Sequence, residues 1–404
     1  MSSFDVVIVG GGMVGTATAF ELGRAGARTL LVDRADPGRA TDAGAGILSP
    51  ETAKRDDAAW VDLVRAAGRH YDQVLPQLDP DNGWARCGIL QLATRDTDLS
   101  AWEWVAERAT GATEISADEA RELVPVLGKV VRALHHPGAA RVDGRMMCAA
   151  LGRAAQQLGV EVRQASVDEV RGGSRGGAGL GAGADAGAGV VVDGAFVDAD
   201  AVVIAGGAWT RRIGAQLGVQ LPVGPLRGQI AHLLVPEHDT ARWPIVQQVY
   251  GHYMVPWDDH RVAVGATVED AGFAADVTAG GVHEIMREAL RVMPGLADRR
   301  CARCGSASGP RASTTCRCSV RCRASPACSS RPVTAPTACC WDRSRARSSP
   351  TSCAAAIRPS ISRRSILLAS ARDATRARVQ RSSFSARSAM MFFCTSVGPA
   401  PIVV

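Results

Sequence analysis

The spacing of apolar and polar residues changes twice within the first thirty-three residues. Residues 4–9 ("FDVVIV") form a mostly apolar run, a glycine turn follows, and apolar residues then recur at helical spacing before a second apolar run ends at Asp33. This order predicts a strand, a helix and a parallel strand, which together make one βαβ unit. Residues 196–218 repeat the pattern of a buried strand, a small-residue turn and a helix.

Period-two alternation replaces the helical period further along the chain. The segments "LRGQIAHLLV", "YGHYMVPW" and "HRVAVGATV", between residues 226 and 268, alternate as antiparallel strands do. The predicted fold class is therefore α/β, a Rossmann-like domain interleaved with an antiparallel β-sheet domain. We assign residues 1–80 and 140–220 to the first domain, with a flexible glycine-rich insertion at 171–189, and residues 81–139 and 221–297 to the second.

The charge of +6 combines two unlike parts of the chain. Residues 301–404 contain 17 Arg, two Asp and no Lys or Glu, a charge of +15, which leaves −9 for residues 1–300. The first part is acidic, contains only two of the 12 cysteines, and has no apolar run long enough for a signal or a membrane span. We therefore expect a cytoplasmic protein with no membrane partner, and nucleic-acid binding is disfavoured. A homo-oligomer stays an open alternative.

Gly10, Gly12 and Gly15 form a G-x-G-x-x-G motif directly after the first strand. Such glycines allow a tight turn, backbone approach to a pyrophosphate at the helix N-terminus, and close packing of helix on strand. Asp33, at the end of the second strand, is positioned to accept hydrogen bonds from a ribose hydroxyl. A dinucleotide site is favoured over a plain βα turn, and its predicted contacts include Met13 and Val14 of the motif and Arg34 beside Asp33.

Several stretches, in this order and spacing, resemble the family of FAD-dependent amino-acid oxidoreductases that contains glycine oxidase, D-amino-acid oxidase and sarcosine oxidase. They are "VVIVGGGMVG", "TDAGAGILSP", "RCGILQLAT", "AVVIAGGAW", "LPVGPLRGQIAHL" and "HYMVPWDDHRVAVGATVEDAGF". The resemblance is greatest to the glycine oxidase branch, through "VGAT" followed by "EDAGF". It implies that residues 1–80 and 140–220 bind FAD and that the antiparallel domain binds the substrate.

The resemblance also implies further cofactor contacts. Thr41 would lie near the pyrophosphate, while Gly44, Ala45 and Gly46 would allow the backbone to approach the flavin. Gly206 and Gly207 would pass close to the cofactor at the second strand-to-helix turn. For each glycine outside the first motif, turn geometry alone is the alternative explanation.

The reaction implied by the resemblance is hydride transfer from the Cα of glycine or a small D- or N-methyl amino acid to flavin N5. Tyr253 matches a tyrosine that reaches toward the substrate carboxylate; a half-buried sheet tyrosine is the equal alternative. Trp257 replaces the arginine common after this proline. Family members also bind the carboxylate through the arginine of a "GLRP" motif, which a "GHGPxG" motif follows, and this chain contains neither.

The segment 298–404 has no sustained apolar period, and residues 301–322 alone contain five cysteines. A zinc site, disulfides and an Arg-rich nucleic-acid tail each explain part of this composition, but the cysteine spacing, the compartment and the lack of Lys and aromatic residues disfavour them. A slipped reading frame in G+C-rich DNA explains all of it, because regrouped codons permit "GLRP" and "GHGPNG" in order. We therefore interpret 298–404 as an aberrant, frameshifted and disordered tail, which makes an inactive product the main alternative to an impaired enzyme.

Overall fold

Three β-sheets organise the part of the chain that the structure, a computed structural model, describes: residues 4–52, 57–171, 188–249 and 251–312. All of these residues belong to one unit; a second unit, Thr315–Asp373, lies outside the described residues.

The strands, in chain order, are β1 (Phe4–Val9), β2 (Thr29–Asp33), β3 (Ile47–Leu48), β4 (Trp84–Arg86), β5 (Ile89–Ala93), β6 (Thr113–Ile115), β7 (Arg132–His136), β8 (Ala140–Val142), β9 (Glu161–Gln164), β10 (Val167–Arg171), β11 (Gly189–Val192), β12 (Ala195–Ile204), β13 (Val223–Leu234), β14 (Ile245–Gln248), β15 (Tyr253–Pro256), β16 (Arg261–Gly265) and β17 (Arg300–Ala312). The helices are α1 (Met13–Arg24), α2 (Ala40–Ala43), α3 (Ala58–Val74), α4 (Leu99–Ala106), α5 (Ala117–Leu123), α6 (Gly144–Gln157), α7 (Thr210–Gln216) and α8 (Ala279–Val292).

The first sheet has the order β10-β11-β12-β1-β2-β9 among the described residues. Its central strand β1 is buried at all six positions and pairs in parallel with β12 and β2, so the carboxyl ends of the three strands meet at one edge. Helices α1 and α6 bury Phe20 and Met147 in one apolar cluster against this sheet. The predicted insertion falls between β10 and β11, which pair antiparallel; residues 172–187 lie outside the described residues.

The second sheet has the order β17-β13-β16-β15-β14-β5-β7-β6. Adjacent strands of this sheet pair antiparallel, as the sequence indicated, except β14 and β5, which pair in parallel. A long stretch of chain separates these two strands, so no hairpin joins them. One face packs against α8 through Ile285 and Val292. The other face carries Tyr253 and Trp257 and packs against Ala45 and Ile47 from the first βαβ region. A small sheet, β3-β8-β4, completes the structure.

The regular structure continues past residue 297, the predicted end of the second domain. Residues Arg300–Ala312 form β17, which pairs antiparallel with β13 along nearly its whole length. An edge strand is held by backbone N–H and C=O groups, which every residue except proline supplies, so the lack of an apolar period did not prevent pairing. The rest of the predicted tail, from residue 313, lies outside the described residues.

Candidate functional site

The glycine turn between β1 and α1 is built by close backbone approach. A Cβ on Gly15 would lie 1.8 Å from the carbonyl oxygen of Gly10, and a Cβ on Gly10 would lie 2.5 Å from the carbonyl oxygen of Ala205. Only glycine fits such contacts without displacing the backbone. The first helix therefore begins directly at the carboxyl edge of the parallel sheet, with Gly12 at its N-cap and Met13 and Val14 opening its first turn.

Asp33 turns its carboxylate back onto the glycine loop. It accepts hydrogen bonds from the backbone N–H groups of Gly11 and Ala35, and Arg39 Nη1 lies 3.6 Å from Asp33 Oδ1. The neighbouring Arg34 instead forms an ion pair with Asp36, with a shortest N–O distance of 2.6 Å, and half of its side chain is exposed. Asp33 is thus hydrogen-bonded to the glycine loop. Arg34 is paired with Asp36 instead, and the cofactor contact predicted for Arg34 stays a prediction.

Thr41 connects the glycine loop to the next segment. Its Oγ1 accepts a hydrogen bond of 3.1 Å from the N–H of Met13, one of the amides that the start of α1 leaves without a helical partner. Gly44 follows α2, Ala45 is buried, and Gly46 has φ +67°, where an added Cβ would lie 1.8 Å from the carbonyl oxygen of Val142. The loop from Thr41 to Gly46 therefore lies against both the helix N-terminus and the small sheet.

The second predicted strand-to-helix turn joins the same edge. Gly206 and Gly207 follow β12, and the N–H of Ala205 donates to the carbonyl of Val9 at 2.8 Å. Backbone without side chains and the positive end of a helix are what a dinucleotide pyrophosphate requires. The residues present thus fit such a group, with Gly10, Gly12, Gly15, Asp33, Thr41 and Gly206 gathered around one helix N-terminus.

Tyr253 begins β15 and is buried in the sheet, with 8% of its surface exposed, so a packing role stays the alternative to substrate binding. It pairs with Gly265 of β16, and a Cβ on Gly265 would lie 3.2 Å from the tyrosine hydroxyl. Burial raises the pKa of the Tyr253 phenol well above its usual value, so the hydroxyl keeps its proton at neutral pH and can donate a hydrogen bond. Tyr253 and Ala45 belong to one apolar cluster, which brings the donor next to the Thr41–Gly46 loop.

A narrow cleft open to solvent lies beside this cluster, with space for little more than a water molecule. The Thr41–Ala45 segment and Gly144 line one side, and the opposite sheet contributes His232, Trp257 and Arg261. His232 is buried, and its Nδ1 lies 3.0 Å from Arg261 Nη1. Burial, together with the charges of Arg303, Arg261 and Arg145, lowers the pKa of His232 to about 4, so its ring is neutral at pH 7.

Comparison with known proteins identifies the family. The profile of the "FAD dependent oxidoreductase" family matches residues 5–323. The chain belongs to this family of FAD-dependent oxidoreductases.

Three relatives show the extent of the similarity. The chain is 36% identical to the uncharacterized oxidoreductase YurR of Bacillus subtilis (strain 168), over 72% of this chain and 79% of YurR. It is 30% identical to glycine oxidase of Pseudomonas aeruginosa, over 72% of this chain and 79% of that enzyme. The structure matches that of iminodiacetate oxidase from Chelativorans sp. BNC1 with a TM-score of 0.70 and 35% identity, covering 76% of this chain and 84% of that one.

Membership of the FAD-dependent oxidoreductase family confirms the fold class, the cofactor and the enzyme class that the sequence predicted. FAD is therefore the cofactor, and the contacts predicted for it at the glycine loop stay predictions. Within the described residues, no group of three or more His, Cys, Asp or Glu side chains could hold a metal ion. Over the same residues, no helix is both long and apolar enough to cross a membrane.

The arginines of the cleft carry no local signal in the sequence patterns. Arg145, Arg261 and Arg303 come from α6, β16 and β17, so they are distant in the chain and share no motif. The strand alternation did contain part of the signal, because His232 pairs with Ala263 on one side and with Arg303 on the other. The register of β17 could not be read from its sequence, which has no apolar period.

Proposed function

We propose that this chain oxidises glycine or a small D- or N-methyl amino acid with FAD as the cofactor, releasing a 2-oxo acid and an amine or ammonia. The observation that supports this most is the contact between the Thr41–Gly46 loop and the sheet face of Tyr253, because it joins a dinucleotide cradle to a buried hydrogen-bond donor. The similarity to proteins named glycine oxidase and iminodiacetate oxidase supports an amine next to a carboxylate in the substrate.

In this proposal the α1 N-terminus and the glycine loop hold the pyrophosphate of FAD, and Asp33 accepts a hydrogen bond from the adenosine ribose. When bound, FAD would supply the two-electron acceptor for oxidation of the substrate at Cα. The protein's part is to orient the substrate and to exclude water from the reacting atoms.

Tyr253 is the residue we assign to substrate binding. Its protonated hydroxyl would donate to the substrate carboxylate, and the apolar side chains around it, Ile89, Val255 and Ala263, would keep water away. The substrate loses a hydride from Cα and a proton from nitrogen, which gives an imine that water then hydrolyses. No side-chain base is required if the amine binds in its neutral form.

We also propose that turnover is impaired. The full sequence contains neither "GLRP" nor "GHGPxG", so the bidentate guanidinium expected to bind the carboxylate is missing. A shifted reading frame beginning near codon 300 accounts for that loss, and sequencing the coding DNA there tests it. The two cysteines of residues 1–300 agree with the cytoplasmic location, which the proposal retains.

A substrate screen tests the proposal. The purified chain, reconstituted with FAD, would be given glycine, sarcosine, D-alanine and iminodiacetate while peroxide and ammonia or amine release are measured. We expect slow product formation from at least one of them, and faster formation by a protein whose reading frame is restored. Because the reduced flavin must pass its electrons on and oxidase and dehydrogenase stay open alternatives, the assay contains oxygen in one arm and an artificial electron acceptor in another. Absence of product in both arms from both proteins, each shown to contain FAD, would reject amino-acid oxidation.

A further inference from the structure

Two glutamines lie beside Tyr253 on the same face of the second sheet. Gln247 of β14 pairs with Tyr253 of β15 on one side and with Gln91 of β5 on the other. Residues directly opposite each other on neighbouring strands point to the same face, so both glutamines face the side that packs against Ala45. Both precede the segment that we interpret as frameshifted. We call Gln91 and Gln247 the glutamine pair.

The glutamine pair interrupts an apolar surface. Gln91 is fully buried and Gln247 is half-buried. Two residues away along the strands, on the same face, lie the buried side chains of Ile89, Ala93 and Ile245. An amide in such surroundings costs free energy unless its polar groups are hydrogen-bonded. The glutamine pair therefore requires hydrogen-bond partners.

The hydrogen bond within the glutamine pair leaves one donor and one acceptor unused. Gln91 Nε2 donates to Gln247 Oε1 at 2.6 Å. Gln91 Oε1 is shielded from solvent and accepts from no described residue, and Gln247 Nε2 donates to no described residue. Exchanging the roles of the two amides would leave the same set, because each offers one carbonyl and one NH2 group. Buried polar groups are nearly always satisfied, so the pair indicates a ligand that forms hydrogen bonds.

The Tyr253 hydroxyl and the Gln247 amide lean in opposite directions along the sheet. A Cβ on Gly265 of β16 would lie 3.2 Å from the Tyr253 hydroxyl, whereas the amide of Gln247 is bonded toward β5. Neighbouring strands lie about 4.8 Å apart, so two to three strand spacings, roughly 10–14 Å, separate the two groups. Glycine is too short to contact both. An amino acid whose side chain ends in a polar group can contact both, with a hydrogen bond of about 2.9 Å at each end.

The surroundings of the glutamine pair favour a neutral polar group over a carboxylate. Gln247 Nε2 is a neutral donor, and a carboxylate in apolar surroundings without a counter-charge is costly. The unbonded carbonyl oxygen of Gln91 belongs to the same pair and would repel an anion. A carboxamide both accepts and donates hydrogen bonds, so it matches the donor and the acceptor that the pair leaves unused.

We propose that Gln247 is a further substrate-binding residue, whose Nε2 donates to a carboxamide on the substrate side chain. Gln91 is then a positioning residue that orients the Gln247 amide. This inference rests on the proposed function, because Tyr253 would bind the carboxylate at the other end of the same substrate. D-Asparagine is a small amino acid with this combination of groups.

Calorimetric titration of the full chain, in buffer that contains excess FAD, tests the glutamine pair without requiring turnover. The probes are three carboxylates without an amine. Succinamate also carries a carboxamide, butanoate lacks it, and succinate has a second carboxylate in its place. We expect succinamate to bind about tenfold more tightly than either of the others, because it gains a hydrogen bond to a neutral donor.

Gln247→Met keeps the length of the side chain and removes the donor. The affinity for succinamate should fall about tenfold, to that of butanoate, while the butanoate affinity changes less than about twofold. The matched control is Gln248→Met, at the next residue of β14, because Gln248 is also buried but is hydrogen-bonded to Arg291 of α8. This control should leave the ratio of succinamate to butanoate affinity unchanged.

Gln91→Met tests the positioning role, and it decides the case if Gln247→Met does not fold. It removes a buried acceptor that has no donor, so the melting temperature should stay the same or rise. The ratio of succinamate to butanoate affinity should nonetheless fall about threefold or more, because the Gln247 amide loses the group that orients it. An unchanged ratio in Gln91→Met would assign Gln91 to packing and reject its positioning role.

Three binding results would overturn the inference. They are equal affinities of succinamate and butanoate in the unaltered chain, an unchanged ratio in Gln247→Met, and tighter binding of succinate than of succinamate. Anaerobic reduction of the bound flavin separates this inference from the proposed function, and we expect faster reduction by D-asparagine than by D-alanine. Faster reduction by D-alanine would keep the function and reject the role of the glutamine pair. Selective succinamate binding without flavin reduction by any amino acid would keep the glutamine pair as a binding site and reject the function.

Discussion

At the scale of single residues, the cofactor cradle depends on contacts too close for any side chain. The carbonyl of Gly10 occupies the position where Gly15 would carry a Cβ, and the amide of Met13 is already bound by Thr41. The close packing of strand against helix therefore also fixes the position of the helix N-terminus. Substitutions here should affect folding and FAD retention together.

Gly15→Ala should destabilise the protein by about 2–4 kcal/mol and abolish FAD retention, because the methyl group would lie 1.8 Å from the Gly10 carbonyl oxygen and force the backbone apart. Thermal unfolding and the flavin absorbance of the purified protein measure the two effects. Gly280→Ala is the matched control, since no atom lies within 4 Å of its added Cβ in α8. If Gly15→Ala behaved like this control, the close contact would not be essential.

Tyr253→Phe keeps the ring in its apolar cluster and removes the donor. We expect the KM for amino-acid substrates to rise about tenfold with FAD content and melting temperature nearly unchanged, because the lost hydrogen bond is made to a charged carboxylate. Tyr71→Phe, at another buried tyrosine, serves as the control and should leave KM unchanged. Equal KM values for wild type and Tyr253→Phe would assign Tyr253 to packing alone.

His232 predicts a pH dependence of stability. Its pKa in the folded protein is about 4, below the ordinary 6.5 of the unfolded chain, so the unfolded state binds the proton first as pH falls. The free energy of unfolding should therefore decrease as pH falls from about 6.5 to about 4, by up to about 2 kcal/mol from this group. Denaturant titrations of His232→Gln should lack this component, and Arg303→Gln should reduce it. An unchanged slope in His232→Gln would contradict the assignment.

At the scale of elements, the start of α8 is fixed to the long strand β13 by a buried polar network. Gln229 Nε2 donates to Thr278 Oγ1 at 3.0 Å and to Glu269 Oε1 at 2.6 Å, while the N–H of Thr278 donates to Gln229 Oε1 at 2.8 Å. Thr278 also caps α8 by accepting from the N–H of Gly281. The network holds the helix that covers one face of the second sheet.

Thr278→Ala should lower the free energy of unfolding by about 2 kcal/mol. It removes a helix cap, and it leaves the fully buried Gln229 without one hydrogen-bond acceptor. Ser116→Ala, in the exposed capping box of α5, is the matched control and should cost about 0.5–1 kcal/mol. Denaturant unfolding monitored by circular dichroism measures both. Equal losses of unfolding free energy in the two variants would show that the buried network stabilises the protein no more than an exposed helix cap does.

At the scale of the whole molecule, local patterns predicted the parallel sheet and its cofactor edge. The apolar run before Gly10, the glycine spacing and Asp33 are all close in sequence. The spacing of apolar residues in this short segment was therefore enough to predict the strand, the turn and the helix. The parallel pairing of β5 with β14, the strand β17 and the grouping of three arginines at the cleft could not be predicted in this way. These features depend on which distant segments pair and in what register. The pairing of Arg303 in β17 with His232 in β13 is one example.

Reduction of the bound flavin in the absence of oxygen tests the central claim most directly. The FAD-loaded chain and its frame-restored counterpart would each be mixed anaerobically with amino acids while the visible flavin absorbance is followed. We predict loss of this absorbance with an amino acid in both proteins, slower in the present chain because the "GLRP" arginine is missing. A flavin that stays oxidised in both proteins with every amino acid, yet is bleached by dithionite, would contradict amino-acid oxidation as the function.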